Sequence, residues 1–236
     1  MSNGTLPVAI LAGGLATRLY PITWEQPKAL VDVNGEPFVA HQLRVLRRQG
    51  IERVVLCVGH LGEQIVRAVG DGGRFGVNVS YSFDGPTLLG TAGAIRKALP
   101  QLGEAFFVLY GDSYLECDFR RVQTAFEESG KRALMTVYRN EGRWDTSNVE
   151  YCEGRILAYS KEQRTERMHH IDYGLGLFRR TAFANPPDSG CWELEAVYRE
   201  MIRQGQLAAF EVTHRFYEIG SMAGLEELRR HLAGQE

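Results

Sequence analysis

The chain has 236 residues, 44% of them hydrophobic, and a formal net charge of -2. That is enough apolar material for one large domain, or for a core with a small insertion. The near-neutral balance offers no global basic field toward nucleic acid or an anionic membrane, so neither is expected as a partner. No apolar run approaches the ~18 residues of a membrane span. The N-terminus lacks a basic segment followed by an apolar core, so no signal peptide is expected and the natural setting is cytoplasmic. Cys57, Cys117, Cys152 and Cys191 are scattered without Cys-x-x-Cys spacing. This argues against structural zinc and against a disulfide framework.

Pro7-Val8-Ala9-Ile10-Leu11 is an almost unbroken apolar run and predicts a strand buried on both faces of a parallel sheet. Ala12-Gly13-Gly14 follows at once, with no large side chain before Leu15, so backbone N–H groups are free to approach a ligand closely. Successive amides in such a loop make an anion-binding concavity. Arg18 adds a fixed positive charge suited to phosphate oxygens. Pro21-Ile22-Thr23 and Pro27-Lys28-Ala29-Leu30 stiffen the return and bring a lysine to the same side. The stretch reads as a triphosphate cradle.

Leu11-Ala12-Gly13-Gly14-Leu15-Ala16-Thr17-Arg18-Leu19, with Pro21-Ile22-Thr23 and Pro27-Lys28 behind it, resembles the signature of the sugar-1-phosphate nucleotidylyltransferases. These enzymes join an NTP to a sugar 1-phosphate and release pyrophosphate. The resemblance implies nucleotide contacts from Leu11, Ala12, Gly13, Gly14, Thr17 and Arg18, with Arg18 and Lys28 catalytic. The family usually has glycine at the place of Ala16. A negative φ is therefore expected there, with the loop slightly further from the triphosphate.

Further along, Ala29–Val33 predicts a short strand and Asn34-Gly35 a turn. Phe38, Val39, Leu43 and Leu46 recur at helical spacing, with Pro37 in the first turn and Gly50 at the end. Arg53–Val58 predicts the second buried strand. Gly59-His60-Leu61-Gly62 follows its carboxyl end, where ligands sit in open parallel sheets. A short helix over 63–69 and a strand over 77–83 come next, and Asp84-Gly85-Pro86 reads as an ordinary turn. Leu88–Ile95 leads into a helix expected to end near Leu99-Pro100. Small residues at its N-terminus suggest a second anion or polar-edge site. This segment resembles the family's Leu-Gly-Thr-Ala-Gly motif, which implies that Leu88 and Gly93 line the base pocket.

Ala105–Tyr110 is the most hydrophobic strand and ends in Gly111-Asp112-Ser113. A carboxylate at the carboxyl end of a central strand is well placed to hold a cation over a cleft; the alternative is a turn aspartate. Gly-Asp matches the family's magnesium-binding aspartate, so Asp112 is assigned to metal and catalysis. Gly111 is counted with the sugar-phosphate contacts. Asp118 predicts a helix cap, and Ala133–Tyr138 another strand.

The chain then changes character. A hairpin over 148–160 turns at Glu153-Gly154, where the family places its sugar-recognition half. By position, Lys161 matches the family's sugar-phosphate lysine, although one more exposed lysine in a charged loop is the alternative. Asn148 is a candidate for a sugar hydroxyl. His169 and His170 have no third ligand at suitable spacing and read as a solvated loop. Ile171–Phe178 is a strand whose glycines leave room for a substrate; by resemblance Asp172 and Gly174 meet the sugar. A helix spans Trp192 to Arg203; Glu193 within it reads by default as a surface glutamate, although by resemblance the family often has an acidic residue near here that reaches the sugar. A late strand covers Leu207–Val212. Arg215–Ser221 resembles the family's terminal motif, with Glu218 standing where an aspartate is usual. Its extra methylene displaces the oxygens by roughly 1.5 Å. Magnesium demands near-ideal octahedral geometry, so ligation at Glu218 is expected to differ from that in aspartate-bearing relatives. Ser221 predicts the cap of the last helix.

The alternation of strands and helices predicts an α/β fold: a three-layer α/β/α sandwich with a Rossmann-like, mostly parallel sheet. One domain is expected. Residues 1–115 form a nucleotide half and 116–236 a sugar half on the same cleft. No left-handed β-helix domain, and hence no acetyltransferase activity, is expected. A P-loop kinase would need Gly-x-x-x-x-Gly-Lys-Ser/Thr, and a dinucleotide-binding dehydrogenase Gly-x-Gly-x-x-Gly; neither is present after the first strand. A nucleotide-sugar sensor on the same fold is the non-catalytic alternative. It would be expected to have lost a metal carboxylate or the arginine. Whole-chain resemblance lies nearest the short bacterial manno-heptose and mannose 1-phosphate guanylyltransferases and the N-acetylmuramate 1-phosphate uridylyltransferase. It leans toward GTP and a manno-heptose 1-phosphate, with Mg²⁺ as cofactor. Small members of such families often dimerise, which leaves a homodimer open.

Overall fold

The computed structural model describes residues 4–234. β1 (Val8–Leu11) runs into the glycine loop, and a two-strand ribbon, β2 (Asp32–Val33) and β3 (Glu36–Pro37), leads to α1 (Phe38–Arg48). β4 (Arg53–Val58), α2 (Gly62–Val69), β5 (Asn78–Phe83), α3 (Thr91–Leu102) and β6 (Ala105–Tyr110) follow. Then come β7 (Ser113–Tyr114), α4 (Phe119–Ser129), β8 (Ala133–Arg139) and the hairpin β9 (Val149–Cys152) and β10 (Arg155–Tyr159). β11 (His170–Arg179), α5 (Leu194–Arg203), β12 (Leu207–Val212), β13 (Tyr217–Glu218) and α6 (Met222–Ala233) close the described chain.

One nine-stranded sheet carries the fold, in the order β10-β9-β11-β6-β1-β4-β5, with β8 on β11 and β12 on β8. β1 lies between β4 and β6, parallel to both, and β5 continues the parallel block. β11 turns the sheet antiparallel against β6 and β8, and β12 runs parallel to β8. Alternation along β1 explains the layers: Val8 and Ile10 face the side covered by α1, α2 and α4, while Ala9 faces α3 and α5. A third cluster packs Leu225 and Leu228 of α6 on Leu19, Val31 and Phe38. This helix is thereby fixed beside the loop after β1.

Several local expectations are revised. Residues 28–30 form a 3-10 turn rather than the start of a strand, because Leu30 N–H donates to Pro27 O at 2.9 Å and Val31 N–H to Lys28 O at 3.0 Å. α3 continues through Pro100 to Leu102. Proline in a last turn removes only one ladder donor, and Gly103, at φ 82°, makes the stop. α5 begins at Leu194, two residues later than expected, since the Trp192 carbonyl is spent on α3. The hairpin turns at Glu153-Gly154 as expected, with φ 47° and 79°.

Two features lock distant stretches of the chain together. The β11–β8 register shifts between Asp172 and Gly176, and Gly174 sits in that bulge at φ 97°. A Cβ there would lie 2.8 Å from Ser113 Oγ. The second feature is a stack. The Arg215 guanidinium lies 3.4 Å from the Trp144 ring centroid and 4.7 Å from that of Tyr217, whose ring also stacks on His231 at 4.0 Å between centroids. No helix among the described residues is long and apolar enough to cross a membrane.

Candidate active site

A cleft of about 380 Å³ opens at the carboxyl ends of β1, β4, β5 and β6, within the usual range of small-molecule sites. Its floor is knitted from strand ends: Ala12 N–H donates to Cys57 O at 2.8 Å and Gly111 N–H to Leu11 O at 3.1 Å. A Cβ on Gly111 would collide with the Leu11 carbonyl, so this crossing requires glycine. Gln42 of α1, almost fully buried, donates to Tyr110 O at 3.1 Å and to Ser113 O at 2.8 Å. That side chain pins both ends of the turn carrying Asp112.

Leu11, Ala12, Gly13 and Gly14 line one side of the cleft, and Lys28, Gly111, Asp112 and Lys161 another. Lys28 Nζ and Asp112 Oδ2 form an ion pair at 2.9 Å, the side chains 17% and 31% exposed. Arg18 approaches from the 3-10 turn after the loop. A Cβ on Gly220 would come within 3.0 Å of an Arg18 guanidinium nitrogen and 3.5 Å of Asp112 Oδ2. Arg18, Lys28, Asp112 and Glu218 thus converge. Thr17, exposed in the 3-10 turn, does not line the cleft.

Ala16 departs from expectation. Its φ is 53° and ψ 40°, the left-handed conformation that glycine adopts without penalty. Leu19 N–H and Thr23 Oγ1 donate to the Ala16 carbonyl at 3.0 and 2.8 Å and hold it there. The loop keeps a glycine-like path at a cost of about 1–2 kcal/mol.

Asp112 and Glu218 are close enough to influence each other. Burial pushes the Glu218 carboxyl above its usual range, with the Asp112 charge adding to the effect, while the Gly220 amide and Ser221 hydroxyl oppose it. Glu218 folds back on its own loop, accepting from Gly220 N–H and, at 3.0 Å, from Ser221 Oγ. The longer side chain is thereby used at the start of α6, where Ser221 also caps Gly224 N–H at 3.0 Å. Magnesium is commonly held by one or two carboxylates plus substrate phosphates. The pair Asp112 and Glu218, with Arg18 and Lys28 beside it, fits that donor set.

The N-terminus of α3 is not an open anion site. Ala92 and Gly93 N–H donate to Trp192 O at 2.8 and 3.1 Å. Thr91 Oγ1 donates to Glu193 Oε2 at 2.7 Å and accepts from Leu194 N–H at 2.7 Å. Leu88 lines the cleft, and Gly93 lies one step behind it. Glu193 is exposed, as the default reading expects, and it also lines the cleft, on the side the resemblance suggested for an acidic residue.

Asp84 is a residue that sequence reasoning passed over. It is 8% exposed and lines the cleft. A Cβ on Gly13 would lie 3.4 Å from its Oδ2. Burial raises its pKa, against the Leu89 amide and Lys97, which favour the charged form. The signal was available: Asp84 follows β5 directly, at the same end of the sheet as the glycine loop and Asp112.

Asn148, Asp172 and Gly174 do not line the cleft. Asn148 Oδ1 accepts from Asp172 N–H at 2.9 Å. Asp172 Oδ1 accepts from Gly174 N–H at 3.1 Å, and Oδ2 from the hydroxyls of Tyr110 and Tyr159, both at 3.2 Å. They form a connected cluster behind the Tyr110 wall.

Comparisons with known proteins agree with this geometry. The Nucleotidyl transferase family model matches residues 8–146. Over 231 residues the chain is 29% identical to the N-acetylmuramate alpha-1-phosphate uridylyltransferase of Neisseria meningitidis serogroup B, covering 95% of this chain and 97% of that one. It is 28% identical over 217 residues to mannose-1-phosphate guanyltransferase beta-B of Xenopus laevis, covering 89% of this chain but 60% of the relative. Among solved structures, HddC from Yersinia pseudotuberculosis complexed with GMP-PN superposes with a TM-score of 0.79 at 21% identity, covering 96% of this chain and 99% of that one. The inositol-1-phosphate CTP transferase from T. maritima gives 0.80 at 22%, covering 99% and 97%. With its glycine loop, converging Lys28 and Asp112, and a family match over more than half its length, the chain belongs to the nucleotidyl transferase family.

Proposed function

We propose that the protein transfers a nucleoside monophosphate from GTP to D-glycero-α-D-manno-heptose 1-phosphate, giving a GDP-heptose for capsule or lipopolysaccharide synthesis and releasing pyrophosphate. The observation that carries the reaction class is the convergence of Arg18, Lys28, Asp112 and Glu218 beside the glycine loop. A sensor on this fold would have no need to keep all four.

Attack by a sugar-phosphate oxygen on the α-phosphorus needs no general base, because the nucleophile is already an anion. The obstacle is repulsion between two anions, so positioning and charge neutralisation supply most of the catalysis. The amides of residues 13–17 and Arg18 hold the leaving pyrophosphate. Lys28 exchanges Asp112 for the α-phosphate, and Lys161 meets the sugar phosphate. Mg²⁺ held by Asp112 and Glu218 would supply further neutralisation between the two phosphates.

Asp84 supports guanine. An ionised carboxylate only accepts hydrogen bonds. Guanine offers it two adjacent donor groups, N1–H and the N2 amine, whereas uracil offers one N–H between two carbonyl oxygens that repel it. UTP with N-acetylmuramate 1-phosphate is the second reading, favoured by the near full-length similarity to the Neisseria enzyme. GTP with mannose 1-phosphate is a third.

The test is pyrophosphate release across GTP, UTP, CTP, ATP and dTTP against heptose, mannose, glucose, N-acetylglucosamine and N-acetylmuramate 1-phosphates. The GTP–heptose pair is expected to dominate. In Asp84→Asn, kcat/KM for GTP should fall roughly 10–100-fold, the worth of a charge-assisted contact. A dominant UTP pair indifferent to Asp84→Asn would overturn the guanine assignment, and a blank grid the enzymatic one.

A further inference from the structure

Asp172 presents a physical problem. Its carboxylate sits behind the cleft wall, where burial raises its pKa. The three donors on it, two tyrosine hydroxyls and one amide, are neutral. They satisfy its lone pairs but leave its charge uncancelled. Lys161 is the cation beside it: its Nζ lies 5.1 Å from the ring centroid of Tyr110, the residue whose hydroxyl bonds Asp172.

The base of Lys161 is fixed as well. Lys161 N–H and Ser160 Oγ both donate to Glu195 Oε1 at 3.3 Å, and Ser160 Oγ accepts from Gln163 N–H at 2.9 Å. The lysine is restrained at its root by α5 and at its tip by the Tyr110 face. A free lysine would lose its rotamer freedom on meeting a phosphate; this one has lost much of it in advance. The bulge around Gly174 turns Asp172 toward the tyrosines.

We infer that Asp172, clamped by Tyr110 and Tyr159, is a positioning residue that holds the Lys161 ammonium at the cleft wall for the phosphate of the acceptor substrate. This rests on the functional reading above. It departs from the direct sugar contact that family resemblance implies for Asp172, because both carboxylate oxygens are already engaged.

A double-mutant cycle tests it, using whichever substrate pair the wild type turns over. In Asp172→Asn, KM for the sugar 1-phosphate should rise about tenfold while KM for the NTP stays within about twofold. Lys161→Met should raise the sugar-phosphate KM at least as much. Asp172→Asn added to Lys161→Met should then cost less than about twofold more, the non-additivity expected of residues acting as a unit. Tyr159→Phe, which keeps the ring, should give a smaller rise in the same parameter and none in the Lys161→Met background. Full additivity of Asp172→Asn over Lys161→Met would mark Asp172 as a direct contact and overturn the inference. A crystal structure of Asp172→Asn without substrates gives a readout independent of turnover. Lys161 should leave the Tyr110 face, and a lysine still seated there refutes the role. A wild type silent toward every pair would defeat the functional reading, while the crystallographic arm would still decide what restrains Lys161.

Discussion

In the parallel block of the sheet, the residues facing the cleft come from loops at the carboxyl ends of the strands: Gly13 after β1, Asp84 after β5, Asp112 after β6. Around β11 the sheet is antiparallel, and there the polar side chains of Asn148, Asp172 and Tyr159, with Tyr110 from the end of β6, bond mainly to one another. Of Asn148, Lys161, Asp172 and Gly174, Lys161 is the one that lines the cleft. The contrast follows from topology. Parallel strands end together and leave their loops at one edge. Antiparallel strands return beside each other, so neighbouring side chains satisfy one another before a ligand arrives.

The largest expected effect breaks the comparison if it fails. Lys28→Ala and Asp112→Asn should each lower turnover about 10²–10³-fold, roughly 3–4 kcal/mol of barrier, read as pyrophosphate release. A change below about threefold in both would remove the chemistry from the parallel block. Next is Thr91→Val, which deletes the hydroxyl joining α3 to Glu193 and Leu194. It should cost about 1–2 kcal/mol, seen as a lower urea midpoint at constant slope. An unchanged midpoint would mean that the seam between α3 and α5 is held elsewhere.

Ala16→Gly should act in the opposite direction. It relieves a left-handed alanine and should stabilise the protein by about 1 kcal/mol, raising Tm by roughly 2–4 °C. A lower Tm would show that unfolded-state entropy outweighs the strain.

The smallest effect concerns pH. Burial raises the Asp84 pKa in the folded state, so the native protein holds this proton more tightly than the unfolded chain. The associated stability is present below the unfolded value of about 3.9 and is lost as pH rises through the folded value. The Tm of Asp84→Asn relative to wild type should therefore drift upward from pH 4 to 7. A flat difference would indicate that burial costs this carboxylate nothing.

Legibility in sequence followed the same divide. The runs 53–58 and 207–212 were readable to the residue because apolar residues dominate both, with Arg53 opening the first and Glu211 the one break in the second. That the glycine loop lies at the cleft was readable because Ala12-Gly13-Gly14 follows β1 directly. Asp84 was not, since Asp-Gly-Pro satisfies a turn whether or not the aspartate faces a cleft. Ala16 was misread because residue type was allowed to set φ, whereas hydrogen bonds to its carbonyl from Leu19 and Thr23 set it. The Asp172 cluster draws on β6, β10 and β11, and no local pattern reports such a meeting.

β13 pairs with β7 through Tyr217–Tyr114 and Glu218–Ser113, so the strand bearing Glu218 is zipped beside Asp112 by a late return of the chain. This has a consequence in time. During synthesis at about 5–20 residues per second, Asp112 emerges from the ribosome some 5–20 seconds before Glu218. Through that interval the growing polypeptide carries a finished glycine loop and an unfinished carboxylate pair. Assembly of this carboxylate pair is thus gated by elongation, arriving only once nearly the whole sheet has had time to order.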